Sequence, residues 1–242
     1  MNIVIPMAGQ GQRFVTSNFS LPKPLIKIGA TAMYRYVLGC LPLHMASQLI
    51  FLVRPHNYLD ELIADIKTHY SLYNYKIIIL ERDTQGQAET VLKGMSAIDP
   101  SKPTLIHNCD TYVYSHVPWE NILQNKIDGA MVLFQANDPK WSYAKLDNNK
   151  SQILDVREKE VISSYASTGT YFFKDSRELL TNIQALIDLK MKENNEYYLS
   201  GVYRLMIKKQ KNIIPLFVDK ILCFGTPEDL VNSLNEMLRN TF

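Results

Sequence analysis

The chain has 242 residues, 46% of them hydrophobic and 21% charged, with a net charge of +2. This is the balance of a folded protein with room for one large α/β domain, which excludes a disordered or collagen-like chain; the charge is too mild to predict nucleic-acid binding. Cys40, Cys109 and Cys223 lack metal-ligand spacing and read as reduced thiols of a cytoplasmic protein. No apolar run approaches the roughly 20 residues of a membrane helix, and Met1-Asn2-Ile3-Val4-Ile5 has no secretory pattern.

In chain order, Ile3-Val4-Ile5 reads as a buried strand followed by a glycine-containing loop over residues 7–16. Leu21-Pro22-Lys23-Pro24 is a turn, since its two prolines cannot lie inside a helix. A helix is predicted over residues 33–41, a strand over 49–53, a helix over 58–69 with Leu59, Leu62, Ile63 and Ile66 on one face, and a strand over 77–80. A helix over 88–98 and a strand over 104–106 follow, ending at His107-Asn108-Cys109-Asp110. Alternating strand and helix predict an α/β fold, a mostly parallel central sheet with helices on both faces.

The second half changes character. A strand is predicted over 130–135, then a hairpin of 142–147 and 151–157 around Asn148-Asn149, and a strand over 168–173. Helices over 176–191 and 198–209 precede strands over 213–218 and 221–224. Thr226-Pro227-Glu228-Asp229-Leu230 carries the N-cap, first-turn proline and acidic residues of a last helix. This half reads as a smaller mixed-sheet lobe of one domain spanning residues 1–242, with no linker or repeat.

Charge is unevenly spread. Before Asp60, the first acidic residue, stand Arg13, Lys23, Lys27, Arg35 and Arg54, so the chain opens with unopposed cations suited to a polyanion. Gly9-Gln10-Gly11-Gln12-Arg13-Phe14 directly follows a strand, and its glycines allow backbone N–H groups to close on phosphate. Phe14 is too bulky for a dinucleotide fingerprint, and a Walker Gly-Lys-Ser/Thr is absent. Arg13 on the loop and Lys23 between prolines suit a triphosphate. Asp110, at the carboxyl end of a predicted parallel strand, stands where such sheets bind ligands. His107 would face away from Asp110 and reads as a satisfied, half-buried histidine.

Pro6-Met7-Ala8-Gly9-Gln10-Gly11-Gln12-Arg13-Phe14, followed by Leu21-Pro22-Lys23-Pro24-Leu25-Ile26, resembles the nucleotide-binding signature of the sugar-phosphate nucleotidylyltransferases, of which glucose-1-phosphate thymidylyltransferase is typical. The resemblance implies a Rossmann-like, GT-A-like nucleotidyltransferase fold with a mainly nucleotide-binding half (1–130) and a mainly acceptor-binding half (131–242). It implies that Ala8, Gly9 and Gly11 wrap the phosphates of an NTP (dTTP, CTP or UTP), that Arg13 and Lys23 stabilise the transferring group, and that Gln85 and Gly86 lie beside the base. Asp110 in Asn108-Cys109-Asp110 resembles the Mg²⁺-binding aspartate. Lys159 and Gly169 resemble the residues that hold the acceptor phosphate and sugar, and Glu196 and Tyr197 an acceptor-contacting segment. Gly225-Thr226-Pro227 resembles the terminal motif of the family.

One position departs. Two residues before Gly-Thr, where the family places a second metal-binding aspartate, stands Cys223, a poor partner for a hard cation; Asp219 is the substitute considered. The expected reaction is nucleotidyl transfer from an NTP to a phosphorylated small molecule, a sugar 1-phosphate above all, for nucleotide-sugar and polysaccharide synthesis. Cytidylyl transfer to a non-sugar phosphate, such as phosphocholine or an amino-acid-derived phosphate, and a catalytically silent nucleotide-binding module are the alternatives. A homodimer is a fair expectation for an enzyme of this size.

Overall fold

The structure, a computed structural model, describes residues 1–239. Strand β1 (Asn2–Met7) leads into helix α1 (Gln12–Thr16), then a short hairpin of β2 (Lys27–Ile28) and β3 (Thr31–Ala32), and helix α2 (Met33–Leu38). Strand β4 (Gln48–Val53), helix α3 (Leu59–Tyr70), strand β5 (Tyr75–Ile79), helix α4 (Gln87–Lys93) and strand β6 (Thr104–His107) complete the parallel unit. Strand β7 (Thr111–Val113), helix α5 (Trp119–Gln124) and strands β8 (Gly129–Gln135), β9 (Ser142–Leu146), β10 (Ile153–Glu158) and β11 (Tyr165–Phe173) follow. Helices α6 (Ser176–Asp188) and α7 (Leu199–Lys208), strands β12 (Ile213–Phe217) and β13 (Ile221–Cys223), and helix α8 (Pro227–Arg239) complete the described chain.

The main sheet runs β10-β9-β11-β6-β1-β4-β5, with β8 paired to β11 and β12 to β8. Strands β5, β4, β1 and β6 are mutually parallel, whereas β11 is antiparallel to β6 and begins the mixed portion. Period-two alternation sends successive side chains to opposite faces. Ile3, Ile5, Leu49, Phe51 and Leu105 accordingly join one core, and Val4, Ile50, Leu52 and Ile106 the other. Buried on both faces, β4 reads as the unbroken apolar run Leu-Ile-Phe-Leu-Val. Helix α3 covers one face with Leu62, Ile66 and Tyr70, four residues apart, and carries Asp60 and Glu61 in its first turn and Lys67 and His69 in its last.

From β1 the chain winds outward through β4 and β5, then crosses back to β6 on the other side of β1. The crevice where winding reverses lies between the carboxyl ends of β1 and β6, where open α/β sheets bind their ligands. Into it project the loop after β1 and the residues after β6.

Several expectations from sequence need correction. The segment read as loop through residue 16 becomes helical at Gln12, because Gly11 turns the chain through a left-handed φ of 62° and buried Phe14 anchors the turn among Ile28, Met33, Leu222 and Phe224. The helix expected over 88–98 stops at Lys93; Gly94 packs against Leu52, where a side chain would collide, and a 3₁₀ turn follows. The last helix is capped as expected: the Asp229 N–H donates to Thr226 Oγ1 (3.0 Å), whose hydroxyl donates to Asp229 Oδ2 (2.8 Å). Among the described residues no helix is long and apolar enough to cross a membrane.

Candidate active site

The crevice is built from the first residues up. Beyond β1, Ala8 is buried and Gly9 and Gln10 are exposed. Gly11 lies against Lys23, whose Cβ would be 3.4 Å from a methyl group placed on the glycine. Lys23 opens a 3₁₀ turn behind the extended Pro22, so the two prolines hold the lysine backbone in place beneath the glycine loop. Its ammonium forms an ion pair with Asp110 beyond the end of β6. The two side chains are only 18% and 17% exposed. Burial alone would lower the lysine pKa and raise that of the aspartate, but the facing charges override it: Lys23 is held above its ordinary value and Asp110 below the usual carboxylate range. Both stay charged at neutral pH.

Asp110 is held from behind. The Phe224 N–H donates to the Asp110 carbonyl (2.7 Å), and β13 pairs with β7 so that Cys223 lies opposite Thr111. His107 is fully buried rather than half-buried. Its Nε2 donates to the Thr111 carbonyl (2.8 Å), which leaves Nδ1 to accept from Thr170 Oγ1 (2.7 Å). It braces the peptide that follows Asp110.

The segment carrying Gln85 and Gly86 closes a second side. Gln85 is exposed; Gly86 adopts φ 122° and lies so close to Tyr197 that a Cβ would come within 2.6 Å of its backbone N and O. Tyr197 N–H donates to the Gln85 carbonyl (2.7 Å) and Ala88 N–H donates to the Tyr197 carbonyl (2.9 Å). With its backbone engaged and its side chain buried, Tyr197 is a clamp on the 85–88 loop rather than a residue open to an acceptor. Its neighbour Tyr198 is the aromatic that faces Lys159, whose Nζ donates to the Tyr198 hydroxyl (3.0 Å). Burial and the charges of Glu196 and Glu158 push the Tyr198 phenol up, opposed by the charge of the exposed Arg13.

Lys159 follows β10 in the left-handed region (φ 56°), as do Lys150 and Lys190 elsewhere in the chain. The charge run around it is not wholly solvated: Glu158 accepts from Ser142 and Ser200 hydroxyls, and burial raises its pKa. Gly169, in β11, adopts φ 79° where that strand's register shifts between Ser167 and Tyr171. A methyl group there would overlap the Asn108 side chain. Asn108 N–H donates to the Gly169 carbonyl (3.1 Å) and Asn108 Oδ1 accepts from Gln87 Nε2 (2.6 Å), tying the end of β6, the start of α4 and β11 together.

Asp219 is not brought to Asp110. It is exposed, its N–H donates to Ser115 Oγ (3.1 Å), and the β7–β13 register separates it from Asp110 by about five residues of ladder, roughly 16 Å. Asp229 converges on Asp110 instead. A methyl group on Gly225 would lie 3.4 Å from Cys223 Sγ, 3.5 Å from Asp229 Oδ2 and 3.6 Å from Asp110 Oδ2. Burial and the two carboxylates push the Cys223 thiol up to about 12, so it is protonated. Lys140 Nζ pairs with Asp229 Oδ1 (2.7 Å). The sequence reading missed Asp229 and Lys140 as site residues; the one available signal was that Asp229 sits in the Gly-Thr-Pro motif.

The family model for nucleotidyl transferases matches residues 3–238. The chain belongs to that family. Comparison with curated protein sequences gives no match. Among solved structures, the nucleotidyltransferase resembles the nucleoside-diphosphate-sugar pyrophosphorylase from Vibrio cholerae RC9 (24% identity, 96% of this chain and 99% of that one, TM-score 0.85). It also resembles a UDP-glucose pyrophosphorylase complexed with UDP-glucose (16%, 99% and 98%, TM-score 0.80) and the inositol-1-phosphate CTP transferase from T. maritima (12%, 97% and 96%, TM-score 0.74). At these identities the likeness is one of fold, and it matches the α/β architecture expected from the sequence.

The donor set of the transferase fits a magnesium ion. Among the described residues no three His, Cys, Asp or Glu side chains form a cage of their own. Mg²⁺ does not need one: it takes one or two carboxylates, and waters and substrate phosphates fill its remaining positions. Asp110 is ionised, and the cradle over Gly225 sets a second carboxylate beside it.

Proposed function

We propose that the protein transfers a nucleotidyl group from an NTP to a phosphorylated small molecule, with a sugar 1-phosphate as the acceptor, and releases pyrophosphate. The observation that carries this reading is the buried Lys23–Asp110 pair at the sheet's switch point, directly beneath the glycine loop. A phosphate-monoester oxygen of the acceptor attacks the α-phosphorus in line. That oxygen is already an anion, so the protein supplies alignment and charge rather than a general base. The loop Ala8–Gly11 offers backbone N–H groups to the triphosphate, with Gln85 and Gly86 beside the base. Arg13 and Lys23 neutralise charge on the α-phosphate and the departing pyrophosphate. Lys159 holds the acceptor phosphate; Gly169 and Glu196 line the acceptor side. Mg²⁺ held by Asp110 supplies further neutralisation of the phosphate oxygens when bound.

A second acceptor chemistry has its own support. Glu158 and Glu196 lie near Tyr198, and an aromatic ring beside carboxylates also suits a cationic, amine-bearing phosphate such as phosphocholine. One assay separates the readings: pyrophosphate release with CTP, UTP, ATP, GTP and dTTP, crossed with sugar 1-phosphates and amine-bearing phosphates in Mg²⁺. Turnover with a sugar 1-phosphate supports the first reading and turnover confined to amine-bearing phosphates the second. Silence across the panel with nucleotide binding retained rejects both.

A further inference from the structure

Cys223 stands where a hard cation would want an oxygen, and its thiol is buried beside two carboxylates. The structure holds an oxygen donor at the same place from another element. Asp229, in the first turn of α8, and Asp110 both bring Oδ2 beside Gly225, 3.5 and 3.6 Å from where a methyl group on that glycine would stand. Asp229 is 13% exposed and stands beside the N–H groups that open a thirteen-residue helix. Its Thr226 cap accounts for one hydrogen bond to Oδ2, and Lys140 takes Oδ1.

We propose that Asp229 is the second carboxylate for the divalent cation, in place of Cys223, and that Lys140 competes with the cation for it. The proposal rests on the reading that the cation binds at Asp110. The ends of this pair differ in freedom. Asp229 is fixed by its cap, whereas Lys140 is 41% exposed, on the loop between β8 and β9, with its Nζ 5.0 Å from the Trp141 ring centre. Its Nζ also lies 3.6 Å from Asp138 Oδ2, a second carboxylate to which the lysine can move when a doubly charged ion takes its place. Two lysine–aspartate pairs thus flank one gap: Lys23 on Asp110 and Lys140 on Asp229.

The test is a Mn²⁺ titration of the full chain without nucleotide, with free Mn²⁺ read by electron paramagnetic resonance. Asp229→Asn is expected to weaken Mn²⁺ binding about tenfold or more, the scale seen when partners of a metal site are removed. Lys140→Met is expected to tighten it about two- to fivefold, the scale of a partly exposed ion pair. A lysine with a purely structural role would leave binding unchanged or weaker. Asp110→Asn is the control. If Asp110→Asn abolishes binding while Asp229→Asn does not change it, Asp229 is not a ligand and the metal reading stands. If Asp110→Asn leaves binding intact, or the wild type binds no Mn²⁺, both fall. Should Asp229→Asn disrupt the cap and fail to fold, Lys140→Met decides alone: tightening supports the competition, and any other result overturns it.

Discussion

Acidification from pH 7 to pH 4 should remove more stability from this protein than from its His107→Gln variant. His107 has no water-facing surface, and burial drives its pKa from 6.5 down to about 4. Its two ring nitrogens are committed, one donating to the Thr111 carbonyl and the other accepting from Thr170, an arrangement that only the neutral ring allows. In the unfolded chain the same imidazole takes up a proton near 6.5. Between these values the unfolded state binds more protons, so stability falls as the pH is lowered. At about 1.4 kcal/mol per pH unit, the gap corresponds to about 3 kcal/mol. Glutamine keeps an amide donor for Thr111 and does not titrate. The acidic groups are common to both proteins, and their contributions cancel in the difference. Urea unfolding at half-unit steps between pH 7 and pH 4 gives the two stability curves; they should diverge by about 3 kcal/mol, most of it between pH 6.5 and pH 4. Parallel curves, or a histidine titrating near 6.5 by NMR in place of His107, would refute the reasoning.

Three further outcomes are expected. Lys23→Met should lower turnover by about 10²–10³, the cost of one lost donor at a developing anion. Lys23→Met also leaves the largely buried Asp110 without its partner, so Tm should fall as well; near-normal pyrophosphate release would remove Lys23 from the mechanism. Gly86→Ala forces a methyl group against the Tyr197 backbone at φ 122° and should weaken NTP binding and lower Tm together, read by calorimetry and thermal melting. Thr226→Ala removes the cap of α8 and should cost about 1 kcal/mol in chemical denaturation.

Local pattern carried much of this structure. The unbroken apolar run of β4, the spacing of Leu62 and Ile66 in α3, and Thr226-Pro227 at the start of α8 each express an element within a few residues. What was hidden depends on pairing between distant segments. Strand β7 has three residues and exists because β13, more than a hundred residues later, pairs with it. That same register removes Asp219 from the crevice and brings Cys223, Gly225 and Asp229 to Asp110, so no local reading could have chosen between the two aspartates. Tyr197 departs from expectation for a related reason: the family resemblance implied an acceptor contact, while the fold uses its backbone to hold Gln85 and Ala88.

That grip has a practical consequence. On the function proposed above, Tyr197, stitched by main-chain bonds to both edges of the turn at Gly86, makes the nucleotide wall and the acceptor wall a single piece of masonry. Retuning the choice of acceptor by grafting residues 193–198 from a relative would shift the opposite wall as well. A successful graft has to carry residues 85–88 with it.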